Sequence, residues 1–214
     1  MRLPAIAAVV VTMAIAGTSA PAIAQGNPHL GHVAERWRDT PDNVGFLSAA
    51  KMEAEIAAQH AALAVGDLEN LASIKRHTGH VVHALNPDIH PSGPGKGYGL
   101  VKAIGGVATH IKLAADTDGA SDNVKRHAAH VAASAGNVER WSLAVIEHAE
   151  MIMTTEDASV AAEHARQIND MMQQIINGHD ANGDGRIGWQ EGEGGMAQAE
   201  QHMNLLLQGE GTSR

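Results

Sequence analysis

Residues 180–191 place oxygen-bearing side chains at alternate positions: Asp180, Asn182 and Asp184, then Gly185, with a closing carboxylate at Glu191. A hard cation needs that order. Ca2+ takes six to eight oxygens at about 2.3–2.6 Å. The alternation turns three side chains inward and Gly185 permits the sharp turn. The backbone carbonyl of Arg186 adds an oxygen, and Glu191 binds through both of its own. Gly188 carries no side chain, so water would fill the coordination point there. A second set of donors is imidazole. The chain holds 14 histidines against 15 lysines and arginines. His77 and His80, and again His127 and His130, stand three apart, neighbours on one face of a helix. His60 precedes His77 by the same seventeen residues that separate His110 from His127. In a helical hairpin turning near residue 66, His60 lies about one helical turn from His77. In one turning near residue 118, His110 falls nearly opposite His127. Each hairpin then gathers three nitrogens, which with water or a fourth ligand suit Zn, Cu, Ni or Fe.

The loop of residues 180–191 resembles an EF-hand at each of its diagnostic positions, with Ile187 in the place that usually packs against a neighbour. The resemblance covers about residues 163–203 and implies a calcium-binding helix-loop-helix. The preceding segment carries Ile168, Met171, Ile175 and Ile176; the following one carries Trp189, Met196, Ala199, Met203 and Leu206. Both have the apolar stripe that flanking helices need. EF-hands usually pair, yet no second complete loop is present: 116–119 (Asp-Thr-Asp-Gly) lacks a closing Glu. A lone hand must lean on the rest of the chain or on a second copy.

The histidines admit other readings. Single histidines on helices are commonly solvated or packed. On a helical wheel His60 falls within the apolar face of its segment, as does Glu53. His77 and His127 sit at the edge of theirs, with His80 and His130 further round. That places a metal site at the edge of a bundle or between subunits. A b-type haem held by two histidines is an alternative; a c-type haem is excluded, because no cysteine is present. His29, His32, His90, His179 and His202 read as surface residues, and His164, in phase with Ile168, Met171 and Ile175, as core. Met151 and Met153 cannot share a helix face, and Met171, Met196 and Met203 read as packing.

The elements that must position these residues are helices. Ala/Leu/Glu/Met-rich runs favour helix over residues 44–65, 67–85, 99–115, 121–135, 138–153, 156–177 and 190–208, with Asp67 and Ser121 as N-caps. A break is expected at Gly136-Asn137. Residues 86–99, with three prolines and four glycines, form a loop, and 28–43 an irregular arm docked by Trp37. Residues 60–85 repeat at 110–135 with eight identities, five of them within the Lys-Arg-His-x-x-His-Val stretch and its flank. The fold class is therefore all-α: a helical bundle built from a duplicated hairpin over residues 25–155, followed by the EF-hand-like unit over 156–214.

Residues 1–24 combine a positive start, an apolar stretch and an Ala-x-Ala end, the parts of a secretory signal peptide. A periplasmic or secreted protein is expected. With no cysteine, it must rely on packing and metal. A formal charge of −9 without a basic cluster disfavours nucleic acid and, after cleavage, membrane, and favours cations. Aromatic residues are 2%, so the core must be built from Ala, Leu, Ile, Val and Met. No His-Glu-x-x-His, phosphate loop or Gly-x-Ser-x-Gly is present, and no catalytic constellation is found. The expected partners are metal ions, with another protein or a homodimer as further candidates. The competing reading is a calcium-stabilised bundle that serves structure or protein interaction.

Overall fold

Helix-forming runs and the side chains that cap them define the elements of the computed structural model, which describes residues 26–211. The helices are α1 (Pro28–Ala34), α2 (Phe46–Ala64), α3 (Leu71–Leu85), α4 (Leu100–Asp116), α5 (Asp122–Thr154), α6 (Ala158–Asn177) and α7 (Met196–Gly209), with a 3-10 turn at Pro41–Asn43. There is no strand among the described residues. The chain is an all-α bundle, as expected. The expected signal peptide lies outside the described residues. Within them, no helix is long and apolar enough to cross a membrane.

Caps set the starts. Ser121 Oγ accepts from Val124 N at 3.1 Å and Asp157 Oδ1 from Ser159 N at 2.8 Å. For α3 the cap is Asn70, accepting from Ser73 N, and not Asp67, which is spent on a turn with Asn70. The arm of residues 28–43 is more regular than expected. Pro28, whose missing N–H costs nothing in a first turn, opens α1, which buries Leu30, Val33 and Ala34.

α2 and α3 form one hairpin and α4 and α5 another; α2 also packs on α4 and α6, and α5 on α3, α6 and α7, while α1 lies on α4. α2 contributes a line of buried alanines, Ala49, Ala50, Ala54, Ala57, Ala61 and Ala64, which lets its neighbours approach closely. Ile74, Leu85, Leu100, Ile104, Ile111 and Ile152 fill the space that aromatic side chains take elsewhere. Glu53 is fully buried among them. Its carboxylate accepts from the N–H groups of Tyr98 (2.9 Å), Gly99 (3.0 Å) and Lys96 (3.1 Å), and so ties down the glycine-rich loop of residues 86–99.

Two further boundaries differ from expectation, for one reason. α5 runs unbroken through Gly136-Asn137. Asn137 is buried, and its side chain is used between elements and not against its own backbone. Nδ2 donates to the carbonyls of Gln190 (2.8 Å) and Gly194 (2.9 Å), and Oδ1 accepts from Gly192 N (2.9 Å). That clamp holds residues 190–194 in a turn, with Gly192 at φ +84°, so α7 begins at Met196 and not at 190.

Candidate metal centres

Histidines three apart on a helix present two rings on one face. α1 does so with His29 and His32, α3 with His77 and His80, α5 with His127 and His130. In all three pairs the ring centroids are 5.7 Å apart and the planes nearly perpendicular. A neighbouring helix supplies a third ring to each: His110 from α4, His60 from α2 and His202 from α7. Nδ1 of His110 lies 3.0 and 3.2 Å from Nδ1 of His29 and His32. Nδ1 of His60 lies 3.1 and 3.3 Å from those of His77 and His80. Nδ1 of His202 lies 3.1 and 3.3 Å from those of His127 and His130. Within each triad the three ligand nitrogens all fall within 4.8 Å of one another, so each could hold a transition-metal ion. A tetrahedral ion bound at about 2.0–2.1 Å spaces its nitrogens about 3.3–3.4 Å apart, close to the spacing of the lone imidazole from its two partners.

The sequence-based grouping holds for one triad and fails for the other. His60, His77 and His80 meet. His110 does not join His127 and His130: it turns to α1, and they turn to α7. Each hairpin keeps seventeen residues from lone to first paired histidine, but divides them differently. His60 stands four residues from the end of α2, whereas His110 stands six from the end of α4. Two residues are about 200° of helical rotation, enough to aim His110 at another helix. His29, His32 and His202, expected at the surface, are half-buried ligand candidates. His29-x-x-His32 carried the signal, the same three-residue spacing as the repeats; His202 carried none.

Burial dominates the electrostatics of the triads. It lowers the pKa of His60, with His80 and His77 adding to the effect, and of His110, with His32 and His29 adding. His202 is pushed down to about 4 by burial, then by His130 and His127. His32, His77, His80, His127 and His130 are lowered too, burial again first. Nδ1 atoms about 3 Å apart can share a proton but cannot each carry one. In these eight imidazoles burial therefore favours the neutral ring, the form that binds metal.

Indole rings flank two of them. Trp37 packs on His32 and His110 at ring distances of 4.7 and 5.1 Å, and on Phe46 at 5.1 Å. It docks the N-terminal arm, as expected. Trp189 stacks on His130 at 3.8 Å with planes 14° apart. Other histidines have local roles: buried His83 donates from Nδ1 to the carbonyl of His90, and half-buried His90 from Nδ1 to that of Ser92. His179 is exposed.

In the loop of residues 180–191, Asp180 accepts from the N–H groups of Gly183, Asp184 and Gly185 at 2.8–3.2 Å. Asn182 Oδ1 accepts from Asp184 N, and Asp184 Oδ1 from Arg186 N. Glu191 does not turn inward: its side chain is 86% exposed, 3.5 Å from Arg140. The carboxylate that faces the loop is buried Glu193, which accepts from Asn182 Nδ2 (2.6 Å) and Gly188 N (2.9 Å). Comparison with family models, curated proteins and solved structures found no match.

Proposed function

We propose that this is an exported metal-binding protein that holds several transition-metal ions at once, one in each histidine triad. One observation carries the reading: the same three-imidazole arrangement recurs on three separate helix pairs, with matching nitrogen spacings. Hydrophobic packing alone gives no reason for half-buried imidazole rings to meet nitrogen to nitrogen three times over. The ligand set contains no thiolate and no carboxylate, and three imidazoles with an open position suit Zn2+ and copper before metals that prefer six ligands. Several like sites on one chain suit capacity, that is, storage or buffering. Nitrogens about 3 Å apart do not sandwich a haem, whose axial nitrogens stand about 4 Å apart across the iron.

A calcium ion in the 180–193 loop is the second half of the proposal, supported by the alternation of Asp180, Asn182 and Asp184 and by Gly185 at φ +81°. Here the buried carboxylate of Glu193, and not Glu191, stands ready to close it.

Elemental analysis of the purified chain, followed by equilibrium dialysis against Zn2+ and Cu+, tests the transition-metal half. The reading predicts more than two tightly held ions per chain. It is overturned by a chain that takes up none beyond calcium. For the loop, Ca2+ is expected to raise the melting temperature of the wild type but not of Asp180→Asn/Asp184→Asn; equal melting curves with and without Ca2+ would remove that half.

A further inference from the structure

We infer that α5 and α6 carry a fourth, weaker metal site built from His148, His164 and Gln167. The inference rests on the proposed metal-binding reading of the triads, whose geometry it extends.

His148 on α5 and His164 on α6 meet with their Nδ1 atoms 2.9 Å apart and ring centroids 5.1 Å apart. Those values are close to those of a particular contact in the triads, that between the lone imidazole and the first histidine of the His-x-x-His pair. There the Nδ1 distances are 3.0–3.1 Å and the centroid distances 5.2–5.4 Å. The pair is thus two-thirds of a triad. The hairpin of α5 and α6 also copies the hairpin of α2 and α3: a lone histidine on the first helix, then the partner on the second after seventeen residues (60 to 77) or sixteen (148 to 164).

The missing third ligand would sit three residues beyond the first paired histidine, in the register that His80 holds to His77. That residue is Gln167. Its Nε2 donates to Glu163 Oε1 at 3.2 Å, while its Oε1 is buried and has no hydrogen-bond partner among the described residues. A buried amide oxygen without a donor costs free energy, and a cation is one group that would satisfy it. Met151 holds the corresponding register from His148, but it is 56% exposed and lies on the helix that supplies the lone imidazole. Two nitrogens and one amide oxygen form a harder and weaker set than three nitrogens, still within the range of Zn2+.

Zn2+ binding to the full chain provides the test, in two arms. The first disables the triads through their lone imidazoles, His60→Ala/His110→Ala/His202→Ala. The Zn2+ binding that remains is expected to be at least about tenfold weaker than that of the triads, and His148→Ala in that background should lower it by one ion per chain. The second leaves the triads intact. Gln167→His completes the fourth set and is expected to tighten the weak site by roughly tenfold or more, raising the tight stoichiometry from three to four. The proposal is overturned if His148→Ala changes no Zn2+ binding in the first arm and Gln167→His adds none in the second. Failure of the triad reading looks different: the wild type and the triple variant would then bind equal amounts of Zn2+. Should the triple variant fail to fold, the Gln167→His arm decides alone.

Discussion

His202 is the most perturbed imidazole of the three triads, pushed down to about 4 by burial and by its neighbours His130 and His127. An unfolded chain would protonate it near pH 6.5. Between about pH 6.5 and pH 4 the unfolded state therefore binds a proton that the folded state does not. Stability rises with pH wherever the unfolded state binds more protons, so the contribution is fully present above about pH 6.5 and is lost as pH falls through that window. The lowered pKa values of His32, His60, His77, His80, His110, His127 and His130 act in the same direction. The urea midpoint of metal-free protein should drop between pH 7 and pH 5, above the range where carboxylates titrate, and His202→Ala should make that drop shallower. A midpoint that holds steady or rises on acidification would contradict this. Glu53 makes a second prediction at this scale. Glu53→Ala leaves three loop N–H groups without their acceptor and should cost about 3 kcal/mol by denaturant unfolding. A change below about 0.5 kcal/mol, the usual bound for a surface substitution, would show that water replaces the carboxylate.

At the scale of elements, what could be read from the residues was which segments are helical; what could not was how they are rotated. Ala-, Leu- and Met-rich runs mark α2 to α6 because propensity and apolar periodicity are local properties. Whether His110 faces His127 or His29 depends on where α4 ends, and a shift of two residues reverses the face. Asn137 shows the same limit. An asparagine after a glycine reads as a helix break from local preference, yet here its amide is more useful to another element: it clamps residues 190–194 against α5. The clamp couples that turn to a histidine triad. Trp189 immediately precedes the clamped stretch and stacks on His130, and α7, which begins just beyond that stretch, carries His202. Asn137→Ala should cost about 2–3 kcal/mol, since Gly192 N and two carbonyls lose their partners. It should weaken Zn2+ binding at the triad of His127, His130 and His202 while leaving the other two unchanged. Equal affinity at all three sites in that variant would show that α7 is held by its apolar face alone.

Across the whole molecule, the triads join α1 to α4, α2 to α3 and α5 to α7, so that each ion would tie together helices otherwise held by an aromatic-poor core. A ligand that binds only the folded state stabilises it in proportion to the logarithm of its excess, about 2.7 kcal/mol per site at a hundredfold excess over Kd. Three sites that share no ligand should add nearly independently. Zn2+ should therefore raise the melting temperature in steps that disappear one at a time as triads are removed, and a net charge of −9 favours the accumulation of cations around the chain. The central claim is that three equivalent histidine triads each hold an ion. Its most direct test is the tightly bound zinc content, after equilibrium dialysis, of the wild type and of the single variants His60→Ala, His110→Ala and His202→Ala. The account predicts three tightly held ions in the wild type and the loss of one in each variant. A zinc content that is the same in all four proteins would contradict it.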